Sequence, residues 1–112
     1  MARRKPQICK VDSNHGAIVN ELRALGMSVQ SLAKVANGAP DIAVGYAGVN
    51  LLVEIKVEGK KLNSEEVEWH ATWLGQVATV TNSRQVVVVM ETELKRRGIP
   101  HLPPAMLALL LL

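Results

Sequence analysis

Residues 38–56 constrain this chain most: Gly-Ala-Pro-Asp-Ile-Ala-Val-Gly-Tyr-Ala-Gly-Val-Asn-Leu-Leu-Val-Glu-Ile-Lys. Two apolar runs rich in β-branched residues flank Ala47-Gly48, which reads as a hairpin of two strands around a tight turn. Side chains alternate faces along a strand. Leu51, Val53, Ile55 and Val57 therefore share one face of the second strand, and Asn50, Leu52, Glu54 and Lys56 the other. In the first strand Asp41, Ala43 and Gly45 lie opposite to Ile42, Val44 and Tyr46. A turn on Ala47-Gly48 carries the pairing back to Asp41 directly across from Glu54. Like charges so opposed destabilise a sheet unless something neutralises them. A divalent cation does so, and hard cations such as Mg²⁺ take carboxylate and carbonyl oxygens.

With 112 residues the chain is one domain, with a core over about residues 7–98, a basic arm at 1–6 and an apolar tail at 99–112. Hydrophobic residues make up 48% and charged ones 21%, which excludes a disordered chain. Trp69, Trp73 and Tyr46 are the only aromatics, so the core is aliphatic. Cys9 is the single cysteine, which excludes an intramolecular disulfide and a cysteine zinc cluster and points to an intracellular, cytoplasmic protein. The basic start, Arg3-Arg4-Lys5, is not followed by the apolar run of a secretion signal. The net charge of +3 suits a polyanionic partner without requiring one.

The remaining elements follow from spacing and punctuation. Residues 8–11 add a brief extended piece. Asp12 or Ser13 caps a helix over about 13–25, on which Ile18, Leu22 and Leu25 recur at helical spacing before Gly26. His15 lies one turn before Val19, either bonded at the helix start or accessory to a site, whereas Glu21 is off that line and exposed. Asn14 is consistent with capping. Met27 to Leu32 alternates as a half-buried strand. After Lys56, Glu58-Gly59-Lys60-Lys61 forms a polar loop, and Asn63 or Ser64 caps a helix of about ten residues with acids in its first turn. Val67, Ala71 and Leu74 make its apolar line, and Trp69 and Trp73 an i, i+4 packing pair, with His70 read likewise as packing. Residues 75–81 form a strand. The spacing predicts a helix over 84–97, with Ser83 as its cap, although four consecutive valines also suit a strand. The leucine-rich end is eight or nine residues long, against the roughly 20 needed to span a membrane. It packs on the domain or on another subunit.

Two carboxylates and a lysine at one sheet edge meet the needs of metal-assisted phosphodiester cleavage. In that reading Asp41, Glu54 and the Ile55 carbonyl hold the metal and Lys56 faces the attacking water. The plainer alternative is a surface Glu54–Lys56 salt bridge, with Asp41 a turn residue after Pro40. Arg3, Arg4, Lys60, Lys61 and Arg84 offer charge to a phosphate backbone, and no base-reading motif accompanies them.

Pro40-Asp41 followed by Glu54-Ile55-Lys56 on a second strand resembles the PD-(D/E)XK nuclease superfamily. The wider set, Lys10-Val11-Asp12-Ser13-Asn14-His15, Leu22-Arg23-Ala24-Leu25-Gly26, Gly38-Ala39-Pro40-Asp41, Leu52-Val53-Glu54-Ile55-Lys56 and Trp69-His70, is similar to small phage and prophage proteins related to virus-type replication-repair nucleases and Holliday-junction resolvases. The resemblance spans about residues 7–82. It implies an α/β (α+β) restriction-endonuclease-like core, a mixed sheet of about four strands in the order α-β-β-β-α-β plus a C-terminal helix. It further implies an Mg²⁺- or Mn²⁺-dependent DNA endonuclease with Asp41, Glu54 and Lys56 as active-site residues, and a possible homodimer. Relatives place an acid on the first helix near the position of His15, and a glutamine early in the helix after Glu-x-Lys near that of Val67.

Overall fold

The computed structural model describes residues 14–99 and 102–110. Arg3, Arg4, the extended piece at 8–11 and the candidate caps Asp12 and Ser13 lie outside the described residues. The element order is α1 His15–Ala24, β1 Ser28–Ser31, β2 Ile42–Tyr46, β3 Val49–Ile55, α2 Ser64–Thr72, β4 Val77–Val80, α3 Ser83–Arg96 and α4 Pro104–Leu110. The strands form one sheet in the order β1-β2-β3-β4, antiparallel except for the parallel pair β3 and β4. This mixed four-stranded sheet with flanking helices matches the restriction-endonuclease-like core expected from the sequence.

The hairpin has the register that the turn dictates, from Tyr46 opposite Val49 to Ile42 opposite Val53. Ala47 and Gly48 both have positive φ, 51° and 82°, as a two-residue turn matched to strand twist requires. One sheet face is apolar and covered: Ile42, Val44, Leu51, Val53, Ile55 and Val80 are buried there with Ile18 and Leu22 of α1 and Val86, Val87, Met90 and Leu94 of α3. Each of these large aliphatic side chains contributes roughly 1.5–3 kcal/mol on leaving water. Helix wins over strand at 83–96 because Val86, Val87, Met90 and Leu94 lie on one helical face and fill that layer, while Val88 stays 46% exposed. The cap is Asn82, whose side chain accepts from the Gln85 N–H, and not Ser83. The Ser83 hydroxyl instead donates to Glu21 Oε1 at 2.7 Å and ties α3 to α1.

The tail packs on the domain. Leu102 is 2% exposed, and Leu107 and Leu109 of α4 lie against the same core. No helix among the described residues is long and apolar enough to cross a membrane. Helix α2 departs from expectation, since none of its residues is buried. Val67 is 52% and Leu74 99% exposed, so the line through Val67, Ala71 and Leu74 faces solvent and not the core.

Candidate active site at the end of the hairpin

The site grows from the place where β2 and β3 stop being a regular ladder. Ile42 pairs with Val53, yet the Asp41 N–H also donates to the Val53 carbonyl at 3.0 Å. Two consecutive residues thus address one partner, the pattern of a β-bulge. The register would hand the Ile55 N–H to the carbonyl of Pro40. Asp41 Oδ2 accepts it instead, at 2.7 Å. The bulge therefore shifts Asp41 from the direct opposition to Glu54 that an unbroken register predicts, and its carboxylate replaces a backbone acceptor at the strand end. A residue's N–H and C=O address the same neighbour in a ladder. The Ile55 carbonyl is accordingly directed toward the Asp41 edge.

Glu54 and Lys56 project from the sheet face opposite the aliphatic core, as alternation requires. Glu54 is 2% exposed, and its Oε1 is buried with no hydrogen-bond partner among the described residues. The Lys56 ammonium lies 3.4 Å from Glu54 Oε2 and 2.9 Å from Glu66 Oε1. The salt bridge of the plainer alternative is therefore present, but as one part of a larger cluster. Burial, the nearby charges of Asp41 and Glu66 and a hydrogen bond with Glu66 raise the Glu54 carboxyl to about 8, against the opposing pull of Lys56. Burial alone would lower the Lys56 ammonium, yet hydrogen bonding to Glu66 and the charges of both carboxylates raise it above the usual lysine value. Burial would likewise raise Glu66, but its bonds to Lys56 and to the Asn63 backbone hold it below the usual carboxylate value.

Glu66 was not singled out by the sequence as a site residue. It is the third residue of α2, where its carboxylate accepts from the Asn63 N–H at 2.9 Å while Asn63 Oδ1 accepts from the Glu66 N–H at 2.9 Å. This reciprocal capping box fixes the start of the helix and delivers the same carboxylate to Lys56. The sequence carried the capping signal; its second role needs the fold. Val67 is exposed, and Glu66 is the α2 residue that meets the lysine.

The start of α1 supplies a second staple. Asn14 Nδ2 donates to the Lys56 carbonyl at 3.1 Å and to the Thr81 carbonyl at 2.8 Å, joining the ends of β3 and β4. Its role is thus tertiary, since its side chain makes no cap hydrogen bond. His15 follows directly on Asn14 at the start of α1. It lines a cleft with Val19, Arg23, Val29, Ser31 and Ile42. Glu21 is exposed and bonded to Ser83, away from the hairpin end, as its helical phase indicated. Lys60 and Lys61 lie exposed in the loop entering α2, and Arg84 is exposed on the first turn of α3.

Among the described residues no group of three or more His, Cys, Asp or Glu side chains is placed to hold a metal ion. The set at the hairpin end comprises two carboxylates and a backbone carbonyl. Compared with family models, curated proteins and solved structures, the chain matches none.

Proposed function

We propose that the chain is an Mg²⁺- or Mn²⁺-dependent DNA endonuclease of the PD-(D/E)XK type, in which Asp41, Glu54 and Lys56 serve phosphodiester hydrolysis. The observation that carries this reading is the buried, unpartnered Oε1 of Glu54 beside Asp41 and Lys56. Glu54 lies in the field of Asp41 and Glu66 against that of Lys56, so full ionisation of these four groups leaves two negative charges in excess. A divalent cation offsets that excess, which a lone structural salt bridge does not need.

The oxygen donors fit such an ion. Asp41 and Glu54 would hold it together with the Ile55 carbonyl, a set suited to hard cations. When bound, the ion lowers the pKa of a coordinated water and neutralises charge on the phosphoryl oxygens. Lys56 donates N–H bonds from beside the two acids, where it orients the attacking water and stabilises negative charge developing on the phosphate. Glu66 and Asn14 keep that lysine in place, one gripping its ammonium and the other its backbone carbonyl. Lys60 and Lys61, with Arg3 and Arg4, supply charge for the DNA backbone.

Incubation with branched, single-stranded and duplex DNA plus Mg²⁺ or Mn²⁺ tests the reading. Metal-dependent cleavage that disappears in Lys56→Ala is expected, with preference for branched or single-stranded substrates. Failure to cleave any of the three with either metal contradicts it. The engagement of the Lys56 ammonium by both Glu54 and Glu66 favours a second reading, a DNA-binding module that keeps the nuclease fold without turnover. That reading gives salt-sensitive DNA affinity that survives Asp41→Ala, and no metal binding.

A further inference from the structure

Helix α2 ends in an aromatic stack that the described chain covers only in part. Trp69 and Trp73 lie face to face, with ring centroids 4.6 Å apart and planes inclined by 16°. Trp69 is half-buried and meets the His70 ring edge-on at 5.8 Å, whereas Trp73 is 45% exposed. A Cβ built on Gly75 would come within 2.9 Å of Trp73 Nε1, so the Gly75 backbone abuts the edge of the indole. A ring fixed on one face by Trp69 and at its edge by Gly75 presents a preorganised flat surface to a third ring.

We infer that Trp73 is a stacking platform for an unpaired nucleobase of single-stranded DNA, which rests on the nuclease reading and names the substrate class of the same site. A flat aromatic surface selects a flat partner, and every nucleobase has a π-face. In a duplex those faces are already taken by neighbouring bases. The platform is continuous with the candidate active site, because the first turn of α2 carries Glu66, 2.9 Å from Lys56. Seven residues separate Glu66 from Trp73, about 10 Å along a helix axis. That distance corresponds to about three nucleotides at the roughly 3.4 Å spacing of one DNA strand. Charge argues for the base and against the phosphate as the contacting group. Glu65 and Glu68 on α2 repel a backbone lying along the helix, while Lys60 and Lys61 in the entering loop attract it there.

Binding is read on the full chain carrying Lys56→Ala, without divalent metal, using a labelled oligothymidine and a blunt duplex. Trp73→Ala weakens single-strand binding about tenfold, the loss of one stacked base, and leaves duplex binding within about twofold. Trp73→Phe restores most of the affinity, and Gly75→Ala, which displaces the indole, behaves like Trp73→Ala. Tryptophan emission is quenched by the oligothymidine and not by the duplex. Unchanged single-strand affinity in Trp73→Ala overturns the inference, as does an equal loss for both DNAs or the absence of binding. A dimer in light scattering that Trp73→Ala dissociates also overturns it, since a second copy then covers the ring. Trp73-dependent binding without cleavage by the wild-type chain sinks the nuclease reading alone, and cleavage indifferent to Trp73 sinks the platform alone.

Discussion

The ammonium of Lys56 lies 2.9 Å from the carboxylate of Glu66, a residue that also closes the capping box of α2. One side chain thus sets both the start of a helix and the position of the lysine. Glu66→Ala removes both functions and is expected to cost about 1–3 kcal/mol of stability in urea denaturation, from the lost cap and the buried bond to a charge. Glu66→Gln retains an acceptor for the Asn63 N–H and loses the charge facing Lys56. Its cost is therefore smaller, and an equal cost for the two substitutions contradicts the dual role.

Glu54 gives the metal-free protein a pH dependence with a definite sign. Its carboxyl is raised from 4.5 unfolded to about 8 folded, so the folded state binds the extra proton. Stability from this group is fully present below about pH 4.5 and is lost as pH rises through about 8. Glu66 acts in the opposite sense, since its lowered value makes its contribution fade as pH falls through that lowered value. Comparing wild type with Glu54→Gln by urea denaturation from pH 5 to pH 9 isolates the effect of Glu54. The difference between them should change across that range, and a flat difference contradicts the raised value.

Gly38 packs where no side chain fits. Its φ is +86°, and a Cβ there would run into the backbone carbonyl of Glu65, at the start of α2. Gly38→Ala is expected to cost more than about 2 kcal/mol, from strained backbone and displaced helix together. Thermal unfolding measures it, and a change below about 0.5 kcal/mol contradicts the close approach.

The hairpin turn offers a gain in the other direction. Ala47 holds φ of 51°, a left-handed value that alanine resists and asparagine tolerates. Ala47→Asn is expected to stabilise the chain by about 1 kcal/mol, read as an increase in Tm. A lower Tm contradicts this account of the turn.

Much of the site was legible because a two-residue turn on Ala47-Gly48 fixes the pairing, and alternation then puts Glu54 and Lys56 on one face. The bulge at Asp41 was not. It arises where a side-chain carboxylate captures the Ile55 N–H, a competition that residue spacing does not reveal. Asn14 bonds carbonyls 42 and 67 residues away, so its clamp appears only when three elements meet. Helical periodicity placed Val67, Ala71 and Leu74 on one line, but periodicity says which residues share a face and not whether anything covers it. On α3 the same signal succeeded, since the face through Val86, Met90 and Leu94 has the sheet beneath it. Glu66 was missed as a site residue because its capping role was visible in the sequence and its contact with Lys56 was not.

The account stands most directly on a cation at the hairpin end. A crystal soaked in Mn²⁺ and measured for anomalous scattering is predicted to show a peak between the carboxylates of Asp41 and Glu54, within reach of the Ile55 carbonyl and absent in Glu54→Gln. A wild-type crystal at saturating Mn²⁺ with no peak there contradicts it.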